Sequence, residues 1–372
     1  MRTECRKMKK VMSLLAVMAM AAFLAGCSST ELESRNFPLA IAVDKADEGF
    51  KIAMGFQNLA EIADEKAKDG GTEPSSVMRT SWQKAFAAGD AENPKTMDYN
   101  HVKALILSRE IFEDREMLGE FLEYMEQQEV FARNTLLFTS KGDAAELLEL
   151  GGELELPIGT YLEQLIANRK EIKSRAAVTL GSLLNEYRNK MENLYIPVLS
   201  EEKGKPQIAE YYVLCGCEGV GTVDRENYLL AMLLEGKIKQ YELGLDADTK
   251  AVRYGNAAVL LDHIHTQYSY SETEEGIFVQ TSTTAEARLQ NGRITTVEQQ
   301  RQLKAALEKQ LVGQADEAAK LHLWEKQLDI TNSYYRLGGY HRGLYKAYQG
   351  DMPGYCNDLT LEISFEITPV LE

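Results

Sequence analysis

The residue with the most specific chemistry in this chain is Cys27, at the end of Leu24-Ala25-Gly26-Cys27. Small residues at Ala25 and Gly26 let an extended chain enter a peptidase cleft. The Cys27 thiol is then the nucleophile that accepts a diacylglyceryl group. The context agrees. Arg2, Arg6, Lys7, Lys9 and Lys10 form a basic start, and Val11 to Phe23 is an apolar run broken by Ser13. That run is shorter than the roughly 20 apolar residues that span a bilayer core, and it has the length of a signal-peptide core. The expected product is a lipoprotein. Residues 1–26 are a signal peptide, 27–36 form a tether, and everything beyond stands on the extracytoplasmic face of a membrane. Two acyl chains anchor stably where one does not.

Cys215 and Cys217 stand two apart in an expected strand, which would put both thiols on one face. A metal site there needs two more ligands, from Cys356, His263 or His265. Small buried thiols without a partner are the simpler reading. With Cys5 in the signal and Cys27 carrying lipid, these three cysteines are an odd number, so at least one is unpaired or pairs between chains. His263 and His265 share a strand face with Asp262 on the other, a pattern that a polar surface explains without a metal. His101, His322 and His341 are isolated. Gly216 to Gly221 reads G-x-x-G-x-G, a tight turn rather than a dinucleotide loop. Tyr334, Tyr335, Tyr340, Tyr345 and Tyr348, with Trp324, form either a contact patch or the edge of a core under a loop. No G-x-S-x-G, H-E-x-x-H or P-loop pattern is present. Lipidation at Cys27 is therefore the one site expected. No catalytic residue, metal or cofactor is expected, and no small-molecule ligand is inferred.

Removing residues 1–26 leaves 36 basic and 56 acidic side chains, a net charge of −20 against −16 for the whole chain. A body this acidic repels phosphate backbones, which argues against nucleic-acid binding. It is also repelled by anionic headgroups, so a lipid and not a basic patch must anchor it.

The elements that would position these residues fall into two groups. A hairpin over 37–57 turns at Asp47-Glu48-Gly49, and 61–78 reads as a loop. Strands at 102–108 and 134–140 alternate with helices at 115–127, 144–150, 161–173 and 180–191. Residues 196–207, with two prolines and four charges, are the expected boundary between an N-terminal unit (37–200) and a C-terminal unit (206–372). In the second unit, long strands at 256–270 and 276–288 precede a helix capped at Thr295 or Thr296, with Glu298 or Gln299 three residues on. That helix is expected to run to about Leu328 on Leu303, Leu307, Leu311, Leu321 and Trp324. Leu359 to Pro369 alternates as a half-buried antiparallel strand. The expected class is α+β, with mixed or antiparallel sheets and a long helix against the second sheet.

The order of segments resembles the Ger(x)C family, the lipoprotein subunit of spore germinant receptors. ELESRNFPLAIAVDKADEGFKIAMGF (31–56) is similar to the family's opening, whose apolar strand ends in Asp-Lys, here Asp44-Lys45. HVKALILSREIFED (101–114), EVFARNTLLFTSKGDAAELL (129–148) and AVTLGSLLNEY (177–187) come next in the family's order, and the long helix and final alternating strand close it. Two departures stand out. Ser28-Ser29 replaces the Trp-Asp that often follows the lipidated cysteine. Asp329-Ile330-Thr331-Asn332 replaces the family's Asp-x-x-Gly-hydrophobic-Gly stretch.

The resemblance implies a non-catalytic subunit on the outer face of the spore inner membrane, with integral-membrane germinant-receptor subunits as partners. The rival readings are a solute-binding lipoprotein, an anchored enzyme, and an envelope-assembly lipoprotein unrelated to spores.

Overall fold

The computed structural model describes residues 35–370 apart from 48, 57–73, 80–81, 83, 85, 87–94, 129–130, 174–175, 190–191, 246–257, 275, 292 and 326. Cys27 and the whole signal segment lie outside the described residues, as do Glu48 and Gly292 of the two expected turns.

The strands are β1 (Arg35–Asn36), β2 (Pro38–Ala46), β3 (Gly49–Phe56), β4 (Pro74–Arg79), β5 (Thr96–Met97), β6 (Ala104–Ser108) and β7 (Leu136–Ser140). They continue as β8 (Asn193–Glu202), β9 (Lys205–Cys215), β10 (Glu218–Val223), β11 (Tyr241–Gly244), β12 (Ala258–Thr273), β13 (Gly276–Leu289) and β14 (Leu359–Pro369). The helices are α1 (Arg109–Glu113), α2 (Arg115–Gln128), α3 (Ala144–Glu149), α4 (Ile158–Ala167) and α5 (Leu180–Asn189). After them come α6 (Arg225–Leu234), α7 (Val297–Ala319), α8 (Ser333–Tyr340), α9 (Arg342–Ala347) and α10 (Met352–Asp358).

The first sheet has eight strands in the order β10-β9-β8-β7-β6-β2-β3-β4. Its centre, β8-β7-β6-β2, is parallel, and antiparallel hairpins close both sides. Parallel strands are covered on both faces, and β2 and β6 are accordingly apolar along almost their whole length. Ile41, Val43, Leu105 and Leu107 face α2 and α5, packing with Leu118, Phe121, Leu183 and Leu184. Ala40, Ala42 and Ile106 face α3 and α4, packing with Leu148, Ile158 and Leu162. The small side chains on this second face bring α4 close: a Cβ at Gly159 would lie 2.1 Å from the Leu39 carbonyl oxygen.

The second sheet, β11-β12-β13-β14, is covered by α6 and α7. The capping box forms on Thr296 and Gln299, and Leu303, Leu307 and Leu311 are buried as expected. Thus the α+β class with mixed sheets holds.

Four details differ from the sequence reading. Residues 196–207 are not a linker: they form the β8–β9 hairpin, and the first sheet runs on to Val223. Part of the expected 61–78 loop is β4, an edge strand on β3. The long helix leaves α geometry after Ala319 and opens into a π-type stretch, Lys320–Glu325. The wider turn rotates the later side chains out of the α-helical register, and Leu321 is 39% exposed rather than core. Finally, β14 pairs parallel with β13, Ile277 opposite Leu359 and Ala287 opposite Pro369. Its in–out alternation is as expected. Alternation reports which face is wet and says nothing about the direction of a neighbour, and the helices between β13 and β14 make the crossover that parallel pairing needs.

Candidate functional site

The segments that carry the family resemblance meet at one edge of the first sheet. Parallel β2, β6 and β7 end level with one another, Val43 opposite Leu107 and Leu107 opposite Thr139. The carboxyl ends of such strands are where open α/β sheets place functional groups. Asp44, 6% exposed, accepts hydrogen bonds from Ala144 N at 2.5 Å and Ala145 N at 2.9 Å. It thereby satisfies N–H groups that the start of α3 leaves free. Burial, followed by the neighbouring carboxyl of Asp143, pushes Asp44 up to about 7, against the pull of the two backbone donors. Asp143 is held below the usual range by its hydrogen bond to Asp44 and by Lys51, at 3.0 Å. Near neutrality the proton of this pair resides on Asp44. Around them Lys45 meets Asp114 at 2.8 Å, and Arg109 and Lys141 both meet Glu210 of β9, at 3.1 and 3.0 Å. These cations are each held by a carboxylate. The rim pins helices to strand ends rather than presenting a free nucleophile or base.

A second polar cluster lies in the seam between the sheets. Asn193, at the start of β8, donates its N–H to Asn332 Oδ1 (3.2 Å) and its amide to the Asp329 carbonyl (2.6 Å). Asn332 Nδ2 in turn donates to Glu235 Oε2 at 3.2 Å. The Glu235 side chain is fully buried, and Lys237 reaches it at 2.7 Å while also reaching Glu192 at 2.8 Å. Burial raises the Glu235 carboxyl above its usual range despite Lys237. Burial opposes the Lys237 ammonium, but Glu235 and Glu192 outweigh it and hold the proton more firmly. Arg336 donates to the Glu235 carbonyl at 2.7 Å and lies 4.0 Å over the Tyr268 ring. Tyr268 OH donates toward the carbonyls of Leu234 (2.6 Å) and Thr331 (2.9 Å).

Asp329 is the hub of the C-terminal half of this seam. Its buried carboxylate accepts from Thr331 N and Oγ1, Ser333 N and Oγ, and Tyr334 N, at 2.5–3.1 Å. Asn332 sits there with φ 55° and ψ 33°. It occupies the position where the family pattern has glycine. The left-handed backbone explains both residues, since asparagine is among the few that visit it readily. The second departure from the family pattern therefore keeps the backbone.

The other residues singled out in the sequence are dispersed. Cys217 lies not in a strand but in the two-residue turn joining β9 to β10, at φ 60° after Gly216 at φ 61°. That left-handed pair suits a tight hairpin, so the thiols of Cys215 and Cys217 do not share a strand face. No disulfide joins Cys215, Cys217 and Cys356. Burial pushes the Cys215 thiol up to about 12 and raises Cys356 as well, favouring the protonated thiol in both.

His263 is also turned. A bulge between Asp262 and His265, with His263 at φ 52°, brings His263 Nδ1 to 3.0 Å from Asp262 Oδ1 instead of placing the two on opposite faces. Glu286 completes a group of three metal-capable donors within 4.8 Å. Arg288 already reaches both carboxylates, at 2.5 and 3.2 Å, so a cation is in place. His265 stands exposed outside the group.

The tyrosine run divides. Tyr334 stacks on Tyr345 (5.2 Å) and tilts against Tyr355 (4.9 Å), which in turn meets Tyr348 (5.6 Å), in a small core under α8–α10. Tyr335 and Tyr340 are 46% and 81% exposed. Both sequence alternatives are thus realised, on different residues. The Trp324 side chain lies outside the described part. The seam itself is not legible in the sequence, because Glu235, Lys237 and Asn332 are charged or polar residues at turns, with no spacing to mark them.

Residues 28–201 match the spore germination protein N-terminal domain. A "putative spore germination protein YfkR" of Bacillus subtilis (strain 168) is 20% identical over 190 residues. That region is 49% of this chain and 48% of YfkR, about half the length of the relative. The crystal structure of the GerBC protein matches with a TM-score of 0.59 at 13% identity, over 89% of this chain and 96% of that one. At that identity the likeness is one of fold. The germination-domain match takes in β1–β7, α1–α5 and nearly all of β8, and leaves β9 and β10 of the first sheet outside it. The domain match, the YfkR relative and the GerBC-like fold together support a GerC-like family of spore germination proteins.

Proposed function

We propose that this chain is the lipid-anchored, non-catalytic subunit of a spore germinant receptor. It would be held at the outer face of the spore inner membrane through acylated Cys27 and would assemble there with integral-membrane subunits. The family match over residues 28–201 carries this reading. Three further observations support it. The match begins at Ser28, directly after the lipidation motif. No helix among the described residues is long and apolar enough to cross a membrane, and acylated Cys27 would supply the attachment. The charged groups of the two conspicuous polar clusters pair mainly with one another, as expected of a scaffold that holds its shape for a partner.

A solute-binding lipoprotein would need two lobes facing across a cleft. Here the two sheets are tied by the Asn193, Asn332 and Glu235 hydrogen bonds. The test is recovery of a tagged full-length chain from membranes of sporulating cells, with identification of what accompanies it. Multi-span germination proteins are expected, and Cys27→Ala should lose both membrane attachment and those partners. Recovery of transporter permeases, or of an envelope-assembly complex, would replace the receptor reading.

A further inference from the structure

One cavity in the molecule carries polar groups that no hydrogen bond uses. It has a volume of about 50 Å³ and lies between β7–β9 of the first sheet, residues 166–173 and 176–178, and Tyr228 of α6. Its walls are mainly apolar, including Leu137, Ile166, Ile172 and Val178. Three lining groups, the Tyr195 and Tyr211 hydroxyls and the Arg169 guanidinium, are polar and have no hydrogen-bond partner among the described residues. Tyr211 is 2% exposed, and its hydroxyl is one of them. Arg169 is half-buried, with its guanidinium 5.4 Å from the Tyr211 ring centroid. Its side chain makes no ion pair or hydrogen bond with a described residue. Its acidic neighbour Glu171 pairs with Arg225 instead, at 3.4 Å. Of the other polar lining residues, Lys173 is engaged with the Gly236 carbonyl at 2.7 Å, and the Tyr228 ring stacks on that of Tyr211.

A buried hydroxyl is normally hydrogen-bonded, and a desolvated guanidinium normally has an anion. Here one small apolar chamber contains both a donor and a cation unmet. We propose that this cavity is a binding site for a short-chain aliphatic monocarboxylate. Its carboxylate would take the Arg169 guanidinium and the Tyr211 hydroxyl, and its alkyl chain the apolar wall. The size sets the class. The space is larger than one water needs and about a third of the ~150 Å³ apolar cavity that takes up benzene, so only a short chain fits. The charge sets the specificity. No carboxylate lines the cavity, so nothing there receives the ammonium of an amino acid.

The site is also placed to be felt by the rest of the fold. Its outer wall, the segment after α4, is the strap that joins the first sheet to the loop after α6. Ile172 bridges Ile238, Lys173 N donates to the Lys237 carbonyl (2.9 Å), and Lys239 N donates to the Glu171 carbonyl (2.6 Å). This proposal does not depend on the receptor reading.

The test uses the purified full-length chain in detergent, titrated with sodium butyrate and followed by calorimetry and thermal unfolding. Sodium chloride at equal ionic strength, butanol, butylamine and alanine serve as comparisons. Butyrate is expected to bind saturably and raise the unfolding temperature, and the comparison solutes are not. Tyr211→Phe should weaken binding about tenfold by removing one hydrogen bond to a charged group. Arg169→Met should abolish it. Ala177→Leu, which fills the cavity without touching either polar group, should also abolish it and guards against a folding defect in the Arg169 variant. No saturable response to butyrate up to about 10 mM, well above a millimolar constant, would overturn the proposal. So would a response equal to that of alanine, or one unchanged in Ala177→Leu.

Discussion

Replacing Lys237 by methionine isolates the buried carboxylate of Glu235 in the seam. The Glu235 side chain is fully buried, Lys237 is 17% exposed, and they meet at 2.7 Å. Methionine fills the space of the lysine stem but leaves the carboxylate with the Asn332 amide at 3.2 Å as its remaining hydrogen-bonding partner. Glu235 Oε1 has no hydrogen-bond partner of its own, so no other donor takes over. Removing one member of a buried pair costs about 3–5 kcal/mol, because an uncompensated charge is left behind. With a urea slope of about 2–3 kcal/mol per molar, the midpoint should fall by roughly 1–2 M. Glu235→Gln in the same background should recover much of that loss, since it removes the stranded charge. The pH dependence gives a second check. Burial already raises the Glu235 carboxyl, and Lys237 opposes that rise. Without Lys237 the folded-state value climbs further above the unfolded one. A raised carboxyl contributes stability that is full below the unfolded value and lost as pH rises through the folded value. The variant should therefore be least stable at neutral pH and recover toward pH 5. A loss below about 1 kcal/mol with no such recovery would refute the assignment of a buried, paired Glu235.

The geometry sets three further outcomes. Asp44, pushed up to about 7, makes the wild-type chain lose stability as pH rises from about 4 to 7, and Asp44→Asn should flatten that window in denaturation curves across pH. Asp143, held low, works in the opposite sense, losing its contribution only below its usual range, so it cannot mask the effect. Asn332 should tolerate glycine better than alanine in denaturation midpoints: both lose the bonds to Asn193 and Glu235, and alanine adds about 1–2 kcal/mol of left-handed backbone cost. Gly159→Ala forces a Cβ to 2.1 Å from a backbone oxygen, and thermal unfolding should show a loss of about 1–3 kcal/mol from overpacking.

Much of this architecture is legible in the sequence because it rests on local patterns. The buried runs of β2 and β6, the alternation of β14 and the Thr296–Gln299 capping box each come from a period or a short-range hydrogen bond. The errors are of another kind. The Ile196–Gln207 stretch has the prolines and charges of a linker, yet Pro197 and Pro206 sit in paired strands. Composition does not show that the turn Lys203-Gly204, at φ 55° and 76°, makes a hairpin of the flanks. Cys217 reads as a strand residue because a turn of two left-handed residues is invisible when only one of them is glycine. His263 reads as lying opposite Asp262 because strict alternation fails at a bulge.

The rim and the seam differ in how far the sequence reveals them, and the difference is physical. At the rim, Asp44, Asp114 and Asp143 come from three segments whose order resembles a family. Recurrence of the segments thus hints at a shared role, and the strand ends then bring them together at Lys45 and Lys51. At the seam, Asn193, Glu235, Lys237 and Asn332 come from three turns or element ends whose polarity is what any exposed turn would have. Burial alone distinguishes them. A buried pair such as Glu235–Lys237 is seldom the most stable solution, since apolar residues of equal volume often do as well or better. What it supplies is direction. Each donor in the seam has a fixed acceptor, so the two sheets have one satisfied arrangement, and any slip between them strands a carboxylate. That constraint fits a subunit whose shape must be the same each time a partner meets it.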